Sequence, residues 1–385
     1  MTLKKRALAC AVTLLAVTSL PAMADDGVHI GYSGPLSGGA AKYGQEVLEG
    51  MQMAASEVDQ AGLTVAGKPL KLDVVALDDQ YNPSSTAINV RRLAQQSNAS
   101  VVLVPHSGGI YAVQTFNQPS KILLLAYSST SPITQHGNML TIRIPPEFVT
   151  YMASFTKYEM ARFGKKIAFA NTDTDYGKAW STAFRPVWEK AGGTVVIDNP
   201  MSYNRSTDFY SGVSRILAAK PDVIFVGGPS EPTGLIIKQA RELGFKGGFV
   251  VMDQAKLDEV SKTAGGYPAL EGAIGVLPVV DDPSPSARAF TARFEKSHGG
   301  RAPTQEDSLN YTAVWATAEA MKIAGTTTDT AAIRKAFGAG IKALSDDHNP
   351  NGVSGVDPQG GMIMGRAVLG YVQGGAVKPL ASTAQ

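Results

Sequence analysis

The feature of this 385-residue chain that most constrains its fold is a regular alternation of short apolar runs with longer amphipathic stretches. Seven runs rich in Val, Ile and Leu are predicted to be buried strands: 28–32, 70–77, 101–104, 122–126, 167–170, 223–226 and 249–252. Between them, apolar residues recur at three- and four-residue steps, as in the series Val47, Leu48, Met51, Ala55 and Val58, which predicts helices. Strands that alternate with helices predict parallel sheets covered by helices on both faces, and hence an α/β fold.

Two adjacent prolines indicate where the chain divides. The predicted strand–helix units are too many for one sheet of usual size. Pro145 and Pro146 end the preceding unit and oppose a helix at that point, and the pattern resumes near Ile167. We therefore expect a boundary between two α/β units close to these prolines.

The first 24 residues have the pattern of a secretory signal peptide. A basic stretch at 4–6 precedes an apolar run at 7–20 and the small-x-small sequence 22–24. Because the run is shorter than the roughly 20 residues that span a bilayer, we predict cleavage after Ala24 and export. The only cysteine, Cys10, lies in this segment, so the mature chain is expected to have no disulfide and no cysteine nucleophile.

Charge and absent motifs exclude several classes of function. Without the three basic residues of the signal, 32 basic side chains face 33 acidic ones, so we predict no nucleic-acid partner. No phosphate-binding loop, dinucleotide fingerprint or H-E-x-x-H motif is present, which predicts no cofactor and no metal. Ser107 is the nearest approach to a hydrolytic nucleophile, but Pro105 stands where a nucleophile elbow needs glycine. A secreted serine hydrolase using Ser107 is the remote enzymatic alternative.

Small polar or glycine-rich clusters follow six of the predicted strands, at 33–38, 105–109, 127–130, 171–176, 227–230 and 253–254. Gly, Ser and Asn are also ordinary turn residues. Ligands of open parallel sheets, however, bind at the carboxyl ends of the strands. Six such clusters therefore favour a binding site built from these loops.

The residue types in these clusters suit an amino acid. Ser107, followed by two glycines at a helix start, and Thr130, before Ser131-Pro132, are two corners that can hold a carboxylate. Asp253 can complement an ammonium group, or it can cap the helix predicted after it. Tyr43 and Tyr176 can cover the apolar part of a ligand, although single tyrosines at such places are more often core edges.

The order and spacing of many short motifs resemble the periplasmic branched-chain amino-acid-binding proteins, the type I solute-binding components of ABC importers. The likeness extends over essentially the whole mature chain. The matching segments are 31–38, Tyr43-Gly44, Asp78-Asp79 with Asn82-Pro83, Ser107, 128–132, Asp175-Tyr176-Gly177, Asp208-Phe209, 221–223, 239–241 and Tyr311.

This resemblance implies two doubly wound parallel-sheet lobes joined by a three-strand hinge. The implied first lobe comprises 25–147 and 277–355, and the second comprises 148–276 and 356–385. By the same resemblance, Ser107 and Thr130 would bind the ligand α-carboxylate. The backbone carbonyl of Ser128 and the carboxylate of Asp253 would take the α-ammonium group, with Tyr43 and Tyr176 lining the pocket from opposite lobes.

The chain also departs from the family pattern. Asp253 stands where leucine-type binders carry glutamate. Pro229 stands where an aromatic residue is typical, so that Ser230 or Glu231 is expected to substitute in the pocket. No cysteine pair is present in the first lobe. These departures bear on the side-chain specificity of the site.

The resemblance implies a non-enzymatic periplasmic receptor. Its expected ligand is a small carboxylate, first of all a branched-chain or other aliphatic amino acid, and relatives that bind aromatic acids, keto acids or amides define the alternatives. Its expected partners are an inner-membrane ABC permease and the ATPase of that permease, and the protein is expected to be a monomer. A sensory receptor on the same fold is the other alternative. We also expect Asp253→Ala to weaken binding while leaving folding nearly intact.

Overall fold

Strands and helices alternate through most of the chain. The computed structural model describes residues 27–365 and 368–381, so the predicted signal peptide, its cleavage site and Cys10 lie outside the described residues. The strands are β1 (Gly27–Gly34), β2 (Thr64–Val65), β3 (Lys68–Pro69), β4 (Lys71–Asp78), β5 (Val101–Val104), β6 (Leu123–Ala126), β7 (Thr141–Arg143), β8 (Lys166–Asn171), β9 (Thr194–Asp198), β10 (Val223–Gly227), β11 (Gly248–Val251), β12 (Ala273–Val276), β13 (Val353–Val356), β14 (Met362–Met364), β15 (Val368–Gln373) and β16 (Ala376–Ala381).

Helices connect most of these strands. They are α1 (Ala41–Ala61), α2 (Pro83–Gln96), α3 (Ser107–Gln114), α4 (Pro132–Gln135), α5 (Val149–Arg162), α6 (Asp175–Lys190), α7 (Tyr210–Ala218), α8 (Ser230–Glu242), α9 (Leu257–Ala264), α10 (Pro285–Ser297), α11 (Gln305–Ala324) and α12 (Thr330–Lys342). All seven predicted strands are present, with ends that agree to within two residues. None of the helices in the described part of the chain combines the length and apolar character that a membrane span requires.

The strands form two main sheets. The first has five parallel strands in the order β4-β1-β5-β6-β7, and the second has seven in the order β16-β15-β12-β11-β10-β8-β9. Strands β8 to β12 are parallel, whereas β15 and β16 add an antiparallel edge. Strand order reverses beside β1 in the first sheet and beside β8 in the second. Such reversals open a crevice at the carboxyl ends of the strands, where ligands bind in folds of this class.

Each sheet is covered on both faces by a buried apolar cluster. The first sheet packs against α1 and α11 on one face and against α2 and α3 on the other. The second sheet packs against α7 to α9 and against α5 and α6. Gly50 lets α1 approach α11 closely, because a Cβ there would lie 2.1 Å from the carbonyl oxygen of Asp307. We call the two sheets with their helices the first lobe and the second lobe.

The chain passes between the lobes three times: at 144–148, at 277–284 and between β14 and β15. Helices α10 to α12 return to the first lobe, where Phe290, Tyr311 and Ile333 join its core. The sequence-based prediction has the chain leave the first lobe after residue 355, whereas in the structure it leaves later. Met362 of β14 pairs with the β13 hairpin strand and is buried in the first core, so the chain stays in the first lobe through β14.

Candidate functional site

A cavity of about 450 Å³, including the space at its mouth, lies between the lobes at the carboxyl ends of the strands. Both lobes contribute to its wall. The lining residues from the first lobe and the 144–148 crossing are Tyr43, Tyr81, Pro105, His106, Ser107, Tyr127, Ser128, Ser129, Pro145, Pro146, Gln305 and Leu309. Those from the second lobe are Tyr151, Tyr176, Asp253, Gln254, Lys256 and Val276.

Three hydroxyl groups form a triangle on the first-lobe side. The oxygen of Ser107 lies 2.8 Å from that of Ser128 and 2.9 Å from that of Thr130, and the last two are 3.0 Å apart. Parallel pairing of β5 with β6 brings these loops together, because both strands end at the same edge. Ser107 and Ser128 line the cavity, and Thr130 is fully buried behind them. Hydroxyl hydrogens can rotate toward an acceptor, so this triangle can donate to an anion.

On the second-lobe side, Asp253 follows β11 and faces the cavity. Its Oδ1 atom accepts hydrogen bonds from Ser129 Oγ and Trp180 Nε1, each at 3.0 Å, and another from the Tyr176 hydroxyl. Among the described residues, none forms a hydrogen bond to Oδ2. The second carboxylate oxygen can therefore receive a donor from a ligand. Asp253 does not cap a helix, because α9 begins later, with Lys256 at its N-cap.

The two tyrosines singled out in the sequence, Tyr43 and Tyr176, line the cavity wall. The Tyr43 hydroxyl donates to the carbonyl of Pro105 at 2.6 Å. The Tyr176 hydroxyl donates to Asp253 and accepts from the backbone N–H of Gln254 at 3.0 Å. Burial raises the pKa of both tyrosines well above the ordinary value, so both remain neutral. Their rings are held in place by these bonds.

Ser230, which was predicted to contact the ligand, does not line the cavity. It begins α8, and its hydroxyl accepts a hydrogen bond of 3.0 Å from the backbone N–H of Lys256. The hydroxyl thereby fixes the loop that carries Asp253. The substitution of Ser230 for an aromatic residue in the pocket is not supported by this geometry.

Residues 27–376 of this chain match the model of a protein family described as periplasmic binding protein. The chain belongs to this family. This periplasmic binding protein is 27% identical over 332 residues to an "Amino acid binding protein" of Pseudomonas aeruginosa, covering 84% of this chain and 85% of that protein. A "Leu/Ile/Val-binding protein" of Escherichia coli K12 is 24% identical, covering 72% and 73%. Both relatives are named for binding amino acids, and the second for binding leucine, isoleucine and valine.

Solved structures agree in fold. The branched-chain amino acid transporter substrate-binding protein of Streptococcus pneumoniae, in complex with isoleucine, superimposes with a TM-score of 0.76 at 21% identity, covering 92% of this chain and 99% of that one. A solute-binding protein of an ABC transporter from R. palustris, in complex with benzoate, gives 0.77 at 20% identity, covering 93% and 96%. The type I periplasmic binding protein fold is thus confirmed.

Two ion pairs of the periplasmic binding protein cross from one lobe to the other beside the cavity, and the sequence analysis missed both. Lys42 of the first lobe contacts Glu259 of the second. Lys256 of the second lobe lies with Nζ 3.0 Å from Glu306 Oε1 of the first. Partners in these pairs are far apart in the chain, so no local spacing signals them. They tie the lobes together next to the ligand cavity.

Several carboxyl groups crowd around these pairs. Burial raises the pKa of Glu306, and it raises the pKa of Glu46, where the neighbouring acids Glu306 and Glu259 add to the effect. Burial alone would also raise the pKa of Glu259, but hydrogen bonds from Lys262 and Lys42 outweigh it and lower that pKa. In residues 27–365 and 368–381, no group of His, Cys, Asp or Glu side chains is arranged to hold a metal ion.

Ser107 has no general base within hydrogen-bond reach among the described residues. Within the described part of the chain, its hydroxyl forms hydrogen bonds only with Ser128 and Thr130. The neighbouring His106 ring is occupied elsewhere: Nδ1 accepts from the backbone N–H of Gly109, and Nε2 lies 3.1 Å from Asp79. The arrangement thus lacks the contact that would activate Ser107 as a nucleophile.

Proposed function

We propose that this periplasmic binding protein captures an α-amino acid between its lobes and delivers it, as a monomer, to an inner-membrane ABC permease and the ATPase of that permease. The observation that carries the proposal is that the hydroxyl triangle and Asp253 face one cavity from opposite lobes. The triangle suits a carboxylate and Asp253 suits an ammonium group. An α-amino acid carries both on one carbon.

The proposed roles follow the geometry. Ser107 and Ser128 contact the α-carboxylate, with Thr130 orienting their hydroxyls from behind. Asp253 receives the α-ammonium group through Oδ2. Tyr43 and Tyr176 enclose the ligand from the two lobes. Because the two sets of contacts are complete only when the lobes are closed, the ligand shifts the population toward closure.

The carboxylate in the cavity wall also distinguishes between amino acids and the alternative classes of ligand. An aromatic acid or keto acid has a carboxylate but no ammonium group. Binding such a ligand would bury the Asp253 carboxylate without a cationic partner, which is unfavourable in a desolvated site. A branched-chain or other aliphatic ligand side chain, expected from the sequence, stays a prediction. Polar groups on the cavity wall, described below, argue against it.

Calorimetric titration of the mature chain with single amino acids tests the proposal. We expect saturable binding with one ligand per chain and a gain in stability of about 2.7 kcal/mol at a hundredfold excess over the dissociation constant. Small-angle scattering should show compaction on binding. Absence of a response to every amino acid, or ester turnover that Ser107→Ala abolishes, would contradict the proposal. The second result would favour the hydrolase alternative.

A further inference from the structure

Two tyrosine hydroxyls on the cavity wall have no hydrogen-bond partner among the residues that the structure describes. Tyr127 and Tyr151 line the cavity, and their side chains are 4% and 3% exposed. Neither hydroxyl forms a hydrogen bond with a residue in 27–365 or 368–381. The hydroxyls of the other three tyrosines on the wall do have partners. Tyr43 bonds to the Pro105 carbonyl, Tyr81 to Gln254 and Tyr176 to Asp253.

The rings that carry the two hydroxyls are held by packing. Tyr127 stacks on Tyr43 with ring centroids 6.2 Å apart, and Tyr151 stacks on Phe155 at 5.9 Å. Both belong to buried apolar clusters, Tyr127 in the first lobe and Tyr151 in the second. The hydroxyls therefore cannot swing away to find partners in bulk water without unpacking the core.

Both groups remain neutral hydroxyls at physiological pH. Burial raises the pKa of Tyr127 and of Tyr151 well above the ordinary value, with further contributions from Glu306 at Tyr127 and from Asp253 at Tyr151. Each can therefore donate one hydrogen bond and accept others. A buried hydroxyl left unpaired on closure is unfavourable, so a ligand that satisfies both is selected over one that does not.

The charged groups of the wall are already paired. Lys256 contacts Glu306 and donates to the backbone carbonyl of Asp253, and the Asp253 carboxylate is assigned to the α-ammonium group. A charged ligand side chain would find no unpaired counterion among the lining residues. A neutral polar group fits the two hydroxyls best.

We propose that the side chain of the bound amino acid ends in a neutral hydrogen-bonding group, a hydroxyl or a carboxamide, which Tyr127 and Tyr151 bind together. This inference rests on the proposed function and replaces the aliphatic side chain expected from the sequence. Tyr127 and Tyr151 come from opposite lobes, so the contact adds to closure. They are specificity-determining residues of the same site.

Calorimetry with matched ligand pairs tests the inference. The pairs are threonine with valine, asparagine with leucine, and glutamine with methionine, each similar in size and different in polarity. In the unmodified protein, the polar member of the best-bound pair should bind at least about tenfold more tightly. Tyr127→Phe and Tyr151→Phe should each reduce that ratio about fivefold or more, mainly by weakening the polar ligand. Tyr111→Phe, outside the cavity, is the control and should leave the ratio unchanged.

The outcomes separate this inference from the function on which it rests. An aliphatic member that binds as tightly as its polar counterpart would overturn the inference and leave the receptor function intact. Equal weakening of both members by the phenylalanine variants would also overturn it, because packing rather than hydrogen bonding would then account for the loss. If no amino acid binds, the proposed function fails as well. Melting curves verify that each variant is folded.

Discussion

The hydroxyl of Ser129 donates a hydrogen bond of 3.0 Å to Oδ1 of Asp253, and the two residues belong to opposite lobes. The same oxygen accepts from Trp180, whose ring lies in the core of the second lobe. Asp253 is therefore both a ligand-facing carboxylate and a structural acceptor. Its removal should affect stability as well as binding, which differs from the sequence-based expectation for Asp253→Ala.

Asp253→Ala should lower ligand affinity at least about a hundredfold, because the α-ammonium group loses its charged partner. It should also lower the free energy of unfolding by about 1–3 kcal/mol, since Trp180 Nε1 is left without an acceptor. Asp253→Asn is the matched control: its amide oxygen can still accept from Trp180, so stability should largely return while affinity stays low. Calorimetry and urea unfolding measure the two effects. Unchanged affinity in the asparagine variant would contradict the ammonium assignment.

Ser107→Ala should weaken binding about tenfold, because the ligand carboxylate loses one donor of the hydroxyl triangle. Ser131→Ala is a close control, since Ser131 lies in the next loop with a buried hydroxyl that has no partner among the described residues and does not line the cavity. Calorimetric titration compares the two. A similar loss in both variants would indicate a general disturbance of the loop instead of a carboxylate contact.

Lys42→Met should make the closed state less populated and weaken ligand binding about three- to tenfold. The variant removes an ion pair that crosses between lobes, and the half-exposed position of Lys42 limits the contribution of that pair to about 1 kcal/mol. Lys262→Met is the matched control, because Lys262 also contacts Glu259 but lies in the same lobe. Small-angle scattering should show a larger mean radius only for Lys42→Met. Identical scattering of the two variants would count against a role in closure.

The buried carboxyl of Glu159 should make stability depend on pH. Neither of its oxygens has a hydrogen-bond partner in the described part of the chain, and burial raises its pKa well above the ordinary 4.5, against the opposing charges of Arg162 and Arg241. The folded protein keeps a proton that the unfolded chain releases above about pH 4.5, so the free energy of unfolding falls as pH rises past that value.

Glu159→Gln should abolish this dependence. We expect the variant to exceed the unmodified protein in stability by about 1–3 kcal/mol at pH 8 and to match it near pH 4. Urea unfolding at pH 4, 6 and 8 measures the difference. Glu189→Gln, at a half-exposed carboxyl, is the control for the substitution itself. A constant difference across the three pH values would refute the assignment.

Local patterns in the sequence were sufficient for seven of the strands in the described part of the chain. Apolar runs of β-branched residues mark β5 and β10 because these strands are buried on both faces. Ser107 and Thr130 were singled out because each lies in the polar cluster that follows a buried apolar strand, β5 and β6. The edge strand β9, which has the β-branched run 194–197 but is only partly buried, was not predicted, nor were the antiparallel β15 and β16.

Contacts between distant segments were not predictable in this way. Tyr127 and Tyr151 resemble ordinary core tyrosines in the sequence, and only the closure of two lobes places both hydroxyls in one cavity. The role of Ser230 was misjudged for the same reason. At the start of α8, its hydroxyl points toward the backbone of Lys256. This contact depends on the packing of α8 against α9.

The two ion pairs that span the cleft run in opposite directions, since each lobe supplies one cation and one anion. Partial opening that separated Lys256 from Glu306 would leave this buried carboxylate without a cation, while the other pair still restrained the lobes. Half-open forms are therefore disfavoured relative to both end states. We expect the protein to switch between open and closed in an all-or-none manner, with few intermediates populated during loading and release.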